Sequence, residues 1–161
     1  NQYARKGLPI IIWCYVIIQL VIPMRHFLYP GKLFWTEQGY RFSWRVMLIE
    51  KVGNTTFYVQ PENGSGKKVI DLRSYLTPQQ LKQMSTQPDM ILQFAHFIRD
   101  EYQNKSIKEN GHIYEMGTPK VFVEAYANLF NKGSKLLIDP LVDLARTPYN
   151  LSHRTWITAY E

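Results

Sequence analysis

The chain has 161 residues, of which 45% are hydrophobic, 14% aromatic and 20% charged. This composition suits one globular domain with its own core, and it excludes a disordered tail, a collagen-like repeat and a small disulfide-stapled module. The single cysteine excludes an intrachain disulfide and a cysteine-based zinc site. The net charge of +6 is scattered, without the run of about five to eight basic residues typical of a nucleic-acid patch, so we expect no nucleic-acid partner.

An uninterrupted apolar run occupies residues 7–24, GLPIIIWCYVIIQLVIPM. As a helix it would be about 27 Å long, close to the roughly 30 Å thickness of the hydrocarbon core of a bilayer. Residues 1–24 are therefore predicted to form a transmembrane helix, with residues 25–161 as an extracytoplasmic domain if the positive-inside tendency holds for Arg5 and Lys6. A buried core helix and a signal peptide are the alternatives, although no A-x-A cleavage pattern follows. Because the chain begins with Asn1, we expect a fragment or a processed product.

Alternating and turn-rich patterns predict strands in the next part of the chain. Apolar and polar residues alternate over residues 40–48, which predicts a first strand. Residues 55–60 and 67–72 are the second and third strands, separated by turns at Gly53-Asn54 and at residues 62–66. Three successive strands favour an antiparallel sheet.

Two helices are predicted before the chain returns to strands. Thr77-Pro78 with Gln80 is a helix start, and a second helix follows Pro88-Asp89. Its core stripe is Ile91, Phe94, Ala95, Ile98 and Tyr102, and His96 lies off that stripe and is expected in solvent. Residues 112–114, 120–130 and 135–138 are further strands, the second of them central because both faces carry apolar groups. The tail to Glu161 is expected to be irregular and to lie on the sheet. The fold class is thus β-rich α+β, an antiparallel β-sandwich with a helical insertion, preceded by one apolar helix.

The chemistry on offer is sparse, because no nucleotide-binding loop, zinc-protease or nucleophile-elbow motif occurs. The four histidines are far apart in sequence, so no metal site is expected. Residues 24–48 are unusual in packing aromatic and arginine side chains just after the apolar run. They suit anchors at the membrane interface, or a pocket in which Tyr, Ser and Arg side chains hold a carboxylate. On a flat strand, Tyr40, Ser43 and Trp44 could not meet one ligand unless a bend or bulge intervened.

Two motifs lie within this segment, Arg25-His26-x-Leu28-Tyr29-Pro30-Gly31 and Trp35-Thr36-Glu37-x-Gly39-x-Arg41-Phe42-Ser43-Trp44-Arg45-x-Met47-Leu48. They resemble the vitamin K-dependent γ-glutamyl carboxylase family, and more closely its bacterial relatives with the horizontally transmembrane (HTTM) domain. Downstream, Ile138-Asp139-Pro140-x-Val142-Asp143 and Thr155-Trp156 also resemble that family.

The resemblance implies a membrane-bound lyase that oxidises a reduced vitamin K or related quinone with oxygen and adds CO2 to a peptide glutamate. The apolar helix would be the last of a larger upstream membrane domain, which carries the lysine base and its histidine partner. Residues 25–161 would be the periplasmic or otherwise extracytoplasmic domain. This chain would then contribute substrate binding and no catalytic residue, and on its own it would bind no quinone and be inactive. Its partners would be the upstream membrane domain, the bilayer and a glutamate-containing peptide or protein.

The substrate-binding residues carried over from the family are Tyr40, Ser43 and Trp44. Arg25, His26, Trp35, Arg41 and Arg45 belong to the motif without an assigned role. The animal enzymes have Asp at the position of Arg45 and His at that of Ile49. A membrane-tethered peptide-binding or structural module without chemistry is the alternative function.

Overall fold

The computed structural model describes residues 2–45, 49–64, 66–109 and 112–160. The chain divides into two compact units, Asn1–Ile49 and Glu50–Glu161, which are treated separately below. This division differs from the predicted membrane boundary after residue 24, and that boundary stays a prediction.

The first unit is helical. It comprises α1 (Gln2–Met24), a 3-10 helix (Arg25–Leu28) and the short α2 (Leu33–Thr36). The stretch Gly7–Leu28 is long and apolar enough to cross a membrane, with a mean hydropathy of 2.1, and only 6% of it is buried. A core helix of a soluble protein would be mostly buried, so this exposure argues against the core-helix alternative.

The second unit is built on an antiparallel sheet. Its strands are β1 (Lys51–Gln60), β2 (Lys68–Val69), β5 (Lys120–Leu129) and β6 (Ser134–Leu136), in the order β2-β1-β5-β6. A separate ribbon pairs β3 (Ser106–Glu109) with β4 (His112–Glu115). Strands β1 and β5 pair along their whole length, from Lys51 opposite Leu129 to Gln60 opposite Lys120. The predicted antiparallel α+β class is confirmed.

Two helices between β2 and β3 supply the layer that covers this sheet. Helix α3 (Pro78–Met84) begins with the predicted capping box, in which Thr77 and Gln80 exchange hydrogen bonds. Helix α4 (Pro88–Tyr102) packs against β1 and β5 and buries its apolar stripe, with the rings of Phe57 and Phe94 5.0 Å apart. The second predicted helix and its core face are therefore confirmed, except that Tyr102 at its end is only partly buried.

The side chains of β5 show how the sheet is layered. Its predicted inward face is buried: Val121, Val123, Ala125, Ala127 and Leu129. On the opposite face Phe122 is partly exposed and Tyr126 is exposed. Its pairing with β1 and β6 confirms β5 as a central strand. The finer assignment to a β-sandwich stays a prediction.

Three predictions on the first half of the chain were wrong. Residues 40–45 form successive turns rather than a strand, and residues 46–48 lie outside the described part. Gly53-Asn54 is not a turn but lies inside β1. The third strand is only Lys68–Val69, because a 3-10 helix at Leu72–Ser74, capped by Asp71, replaces its second half.

Gly53 was mistaken for a turn residue because glycine occurs both in turns and at strand positions where another backbone segment approaches closely. A methyl group added there would overlap the carbonyl oxygen of Ser85, just after α3. The hydroxyls of Thr55 and Ser85 lie 3.1 Å apart at the same contact. Gly53 thus sets how closely the end of α3 approaches β1.

We expect Gly53→Ala to lower the free energy of unfolding by about 1–3 kcal/mol, because the added methyl group forces α3 away from the strand. Thermal unfolding of the purified protein measures this change. Gly64→Ala is the matched control, since its methyl group would meet Pro61 at an ordinary 3.4 Å. Equal unfolding temperatures for the two variants would contradict this account of the contact.

Candidate functional site

The segment that follows the apolar helix, residues 25–45, is called here the turn segment. It is joined to the end of α1 by His26, whose Nδ1 lies 2.8 Å from the carbonyl oxygen of Pro23. A carbonyl only accepts hydrogen bonds, so Nδ1 carries the proton. The bond satisfies one of the carbonyl groups that a helix leaves open at its last turn.

The turn segment reverses direction through left-handed backbone conformations. Glu37 has φ 55°, Gly39 has φ 74° and Phe42 has φ 64°. Successive turns are closed by the amide of Tyr40 on the carbonyl of Glu37, and by the amide of Ser43 on the carbonyl of Tyr40, at 3.2 and 3.0 Å. Residues 40–45 therefore curl, although their side chains alternate in polarity as those of a strand do.

Contacts between the two motifs hold the turn segment together. The guanidinium of Arg25 donates to the carbonyl oxygen of Arg41 at 2.8 Å and lies 5.8 Å from the ring centre of Phe42. Gly39 lies against His26, where an added methyl group would be 2.7 Å from Cα. The motif that begins at Arg25 and the motif that begins at Trp35 are therefore one folded unit.

The curled backbone brings two of the three predicted substrate-binding residues into contact. The hydroxyl of Ser43 donates to the carbonyl oxygen of Tyr40 at 2.6 Å, and Ser43 is only 4% exposed. Trp44, the third, is 70% exposed beside them. A flat strand could not have directed Tyr40, Ser43 and Trp44 to one ligand, and the curled backbone supplies the bend that this requires.

Of the remaining motif residues, one is buried in the core and two lie at the surface. Trp35 is fully buried and is the packed centre of α2. Arg41 and Arg45 line an open depression together with Tyr40, Phe42 and Ser43. Ser43 uses its hydrogen on Tyr40, so its oxygen can still accept a hydrogen bond from a ligand.

Two buried nitrogens of the turn segment have no hydrogen-bond partner within the described part of the chain. They are Nε of Arg25 and Nε2 of His26. The first is a permanent donor, and the second accepts when the ring is neutral. Buried polar atoms normally find a partner, so these two are candidates for contact with a bound group. Among the described residues, no cluster of three or more His, Cys, Asp or Glu could hold a metal ion.

A family model described as the lumenal domain of vitamin K-dependent gamma-carboxylase matches residues 4–161. The chain belongs to this carboxylase family. No solved structure matches the chain. The match includes α1, so the helix is part of the family domain, which argues against a signal peptide. With a candidate membrane helix at Gly7–Leu28, the chain is part of a membrane protein with an extracytoplasmic domain. Its assignment to the bacterial HTTM relatives stays a prediction.

The downstream carboxylase-like motif has a structural role in the second unit. One carboxylate oxygen of Asp143 accepts hydrogen bonds from the amides of Val121 and Ala145, at 2.9 and 3.0 Å. The tail pairs with the segment after β6 through a bridge between Ile138 and Ile157, and the amide of Leu137 in that segment donates to the carbonyl of Ala125 in β5. Asp143 thus fixes the loop after β6 to the start of β5, and the predicted packing of the tail is confirmed.

Helix α4 holds the same loop through two residues whose role the periodicity did not reveal. His96 donates from Nε2 to the carbonyl of Thr147 at 2.8 Å, so it is not simply solvated. Arg99 donates to the carbonyl of Ala145 at 2.9 Å. It also donates to the carboxylate of Asp100, and that second hydrogen bond lowers the pKa of Asp100. Both contacts are to backbone carbonyls, which leave no trace in sequence.

We expect Gly39→Ala to loosen the turn segment, because its methyl group would collide with the backbone of His26. Gly31→Ala is the matched control: Gly31 has φ 91°, so it bears the same left-handed penalty of about 1 kcal/mol, but its methyl group meets only Thr36 at 3.5 Å. Hydrogen–deuterium exchange at residues 25–45 should be faster in Gly39→Ala than in Gly31→Ala. Equal exchange would show that the contact does not organise the segment.

Proposed function

We propose that this chain is the substrate-binding, extracytoplasmic portion of a membrane enzyme that couples oxidation of a reduced vitamin K or related quinone to CO2 addition at a peptide glutamate. Tyr40, Ser43 and Trp44 bind the peptide. The base is supplied by a membrane domain upstream in the parent protein, and the domain beyond α1 faces the periplasm or another extracytoplasmic space.

The observation that carries the proposal is the geometry of Ser43 and Trp44. Ser43 is held rigidly on the carbonyl of Tyr40, while Trp44 beside it stands in solvent. Aromatic anchors of this kind are enriched where proteins bind peptides, because they bury a large area and lose few rotamers. An ordered hydroxyl next to an exposed indole suits a peptide side chain placed between a polar and an apolar contact.

The charges around the depression support an acidic peptide. Arg41 and Arg45 line it, and Arg25 reaches its backbone from the end of α1. Guanidinium groups recognise carboxylates through paired, charge-assisted hydrogen bonds.

The turn segment does not fit a quinone. An aromatic quinone needs an apolar cavity that excludes water, whereas this depression is open and lined by two arginines. We therefore place the quinone, with the oxidative chemistry that it supplies, in the membrane domain of the parent protein. Catalysis needs base, quinone and substrate held together, so the isolated chain is expected to fix no CO2.

The proposal is tested on membranes that contain the full-length parent. Reduced vitamin K, labelled bicarbonate and a glutamate-rich peptide are supplied, and label in the peptide is counted. Trp44→Ala should lower incorporation at least about tenfold, since truncating an aromatic anchor costs about 2 kcal/mol or more.

Tyr149→Ala is the control, because it removes another exposed aromatic ring, in the second unit, and should leave incorporation unchanged. Label that persists in well-folded Trp44→Ala protein would contradict the role of Trp44. Absence of both labelled peptide and quinone epoxide in the wild-type membranes would favour the alternative, a peptide-binding module without chemistry.

A further inference from the structure

Three exposed apolar side chains lie near the end of the membrane helix. They are Phe27, Leu28 and Phe42, and are together called here the interfacial cluster. Leu28 is 81% exposed and Phe42 is 77% exposed. Phe27 and Leu28 belong to the 3-10 helix that continues from α1, and the contact with Arg25 places Phe42 beside the same helix end.

The backbone of Phe42 makes this exposure costly. Its φ of 64° is a genuine outlier for a bulky residue, and such strain persists only where the surroundings impose it. An exposed ring on a strained residue combines two unfavourable terms. The guanidinium of Arg25 lies 5.8 Å from the centre of this ring, and most of the side chain remains exposed.

The position of the cluster along the membrane normal identifies what covers it. Helix α1 has 23 residues and a length of about 34 Å, enough to cross the hydrocarbon layer. Leu28 lies four residues beyond its end, at most about 8 Å further along a 3-10 helix. Counted from Gly7, where the apolar span begins, Leu28 is therefore about 34 Å along the chain axis, a few Å beyond a hydrocarbon core of roughly 30 Å. If Gly7 lies at the opposite edge of that core, the cluster lies at the boundary between acyl chains and headgroups.

The positively charged side chains near the cluster are also of the kind found at the boundary between acyl chains and headgroups. Arg25, Arg41 and Arg45 stand within the turn segment, and arginine side chains at this depth extend toward lipid phosphates while their stems cover apolar surface. Aromatic rings with cationic neighbours are typical of segments that lie in the interface.

We propose that the interfacial cluster inserts into the bilayer and holds the turn segment flat on the membrane surface. The partner is the lipid interface itself, with Phe27, Leu28 and Phe42 among the upper acyl chains and the arginines at the phosphates. This surface adjoins the proposed peptide-binding residues, because Phe42, Arg41 and Arg45 also line the depression. The lipid contact rests on the three exposed apolar side chains and does not require peptide binding.

The test measures the surroundings of each side chain in the full-length protein, reconstituted in vesicles of phosphatidylcholine mixed with phosphatidylglycerol. Cys14 is the only cysteine of this chain, so a Cys14→Ala background, with any cysteines elsewhere in the parent also replaced, accepts single labels through Leu28→Cys or Phe42→Cys. A nitroxide at each site is probed with oxygen, which concentrates in lipid, and with a water-soluble nickel complex. Leu151→Cys is the matched control, because Leu151 is also 81% exposed but belongs to the second unit.

We expect labels at residues 28 and 42 to be accessible to oxygen and shielded from nickel, with an oxygen-to-nickel ratio several-fold higher than at residue 151. High nickel accessibility at residues 28 and 42 would place the cluster in water and overturn the proposal. Low accessibility to both reagents would also overturn it, because another protein segment would then cover the cluster.

Discussion

The candidate site depends on the close approach of Gly39 to the backbone of His26. Because no side chain stands between them, the second motif can lie on the first, and Arg25 can reach the carbonyl of Arg41. The bond of His26 to Pro23 passes this constraint to the end of α1. The turn segment is therefore organised by backbone contacts, and the exposed side chains of Trp44 and Arg45 stand on a base that is already fixed.

The second unit is organised differently, because the remaining elements pack on one long strand pair. Strands β1 and β5 lie far apart in sequence but pair over ten residues, and α4 covers their buried face. The loop after β6 is then attached by Asp143 to β5 and by His96 and Arg99 to α4. Asp143, which belongs to the downstream motif, thus attaches the loop after β6 to the sheet in this chain.

Periodicity predicted the elements whose burial is regular. The stripe of α4 and the alternation of β5 each match one face to one neighbour, so their patterns could be interpreted without knowledge of the partner. Periodicity failed where the role of a residue is to let two backbone segments approach closely. Gly53 accommodates a helix end and Gly39 accommodates His26, and both types of site look like turns or strand positions in sequence. The alternation over residues 40–45 was misleading because burial does not follow it: Ser43 is buried, whereas Phe42 and Trp44 are exposed.

Within the candidate site, the residues came from the family motif, whereas their arrangement came from the structure. No sequence pattern shows that Ser43 closes on the carbonyl of Tyr40, since that bond requires Phe42 in a left-handed conformation that bulky residues avoid. The strain at Phe42 serves both proposals: it curls the backbone around Ser43 and projects an apolar ring outward. An enzyme that acts on both a lipid-soluble quinone and a water-soluble peptide must bring the two together at the membrane surface. A turn segment that binds lipid through Phe42 and peptide through Trp44 would meet that requirement with adjacent residues.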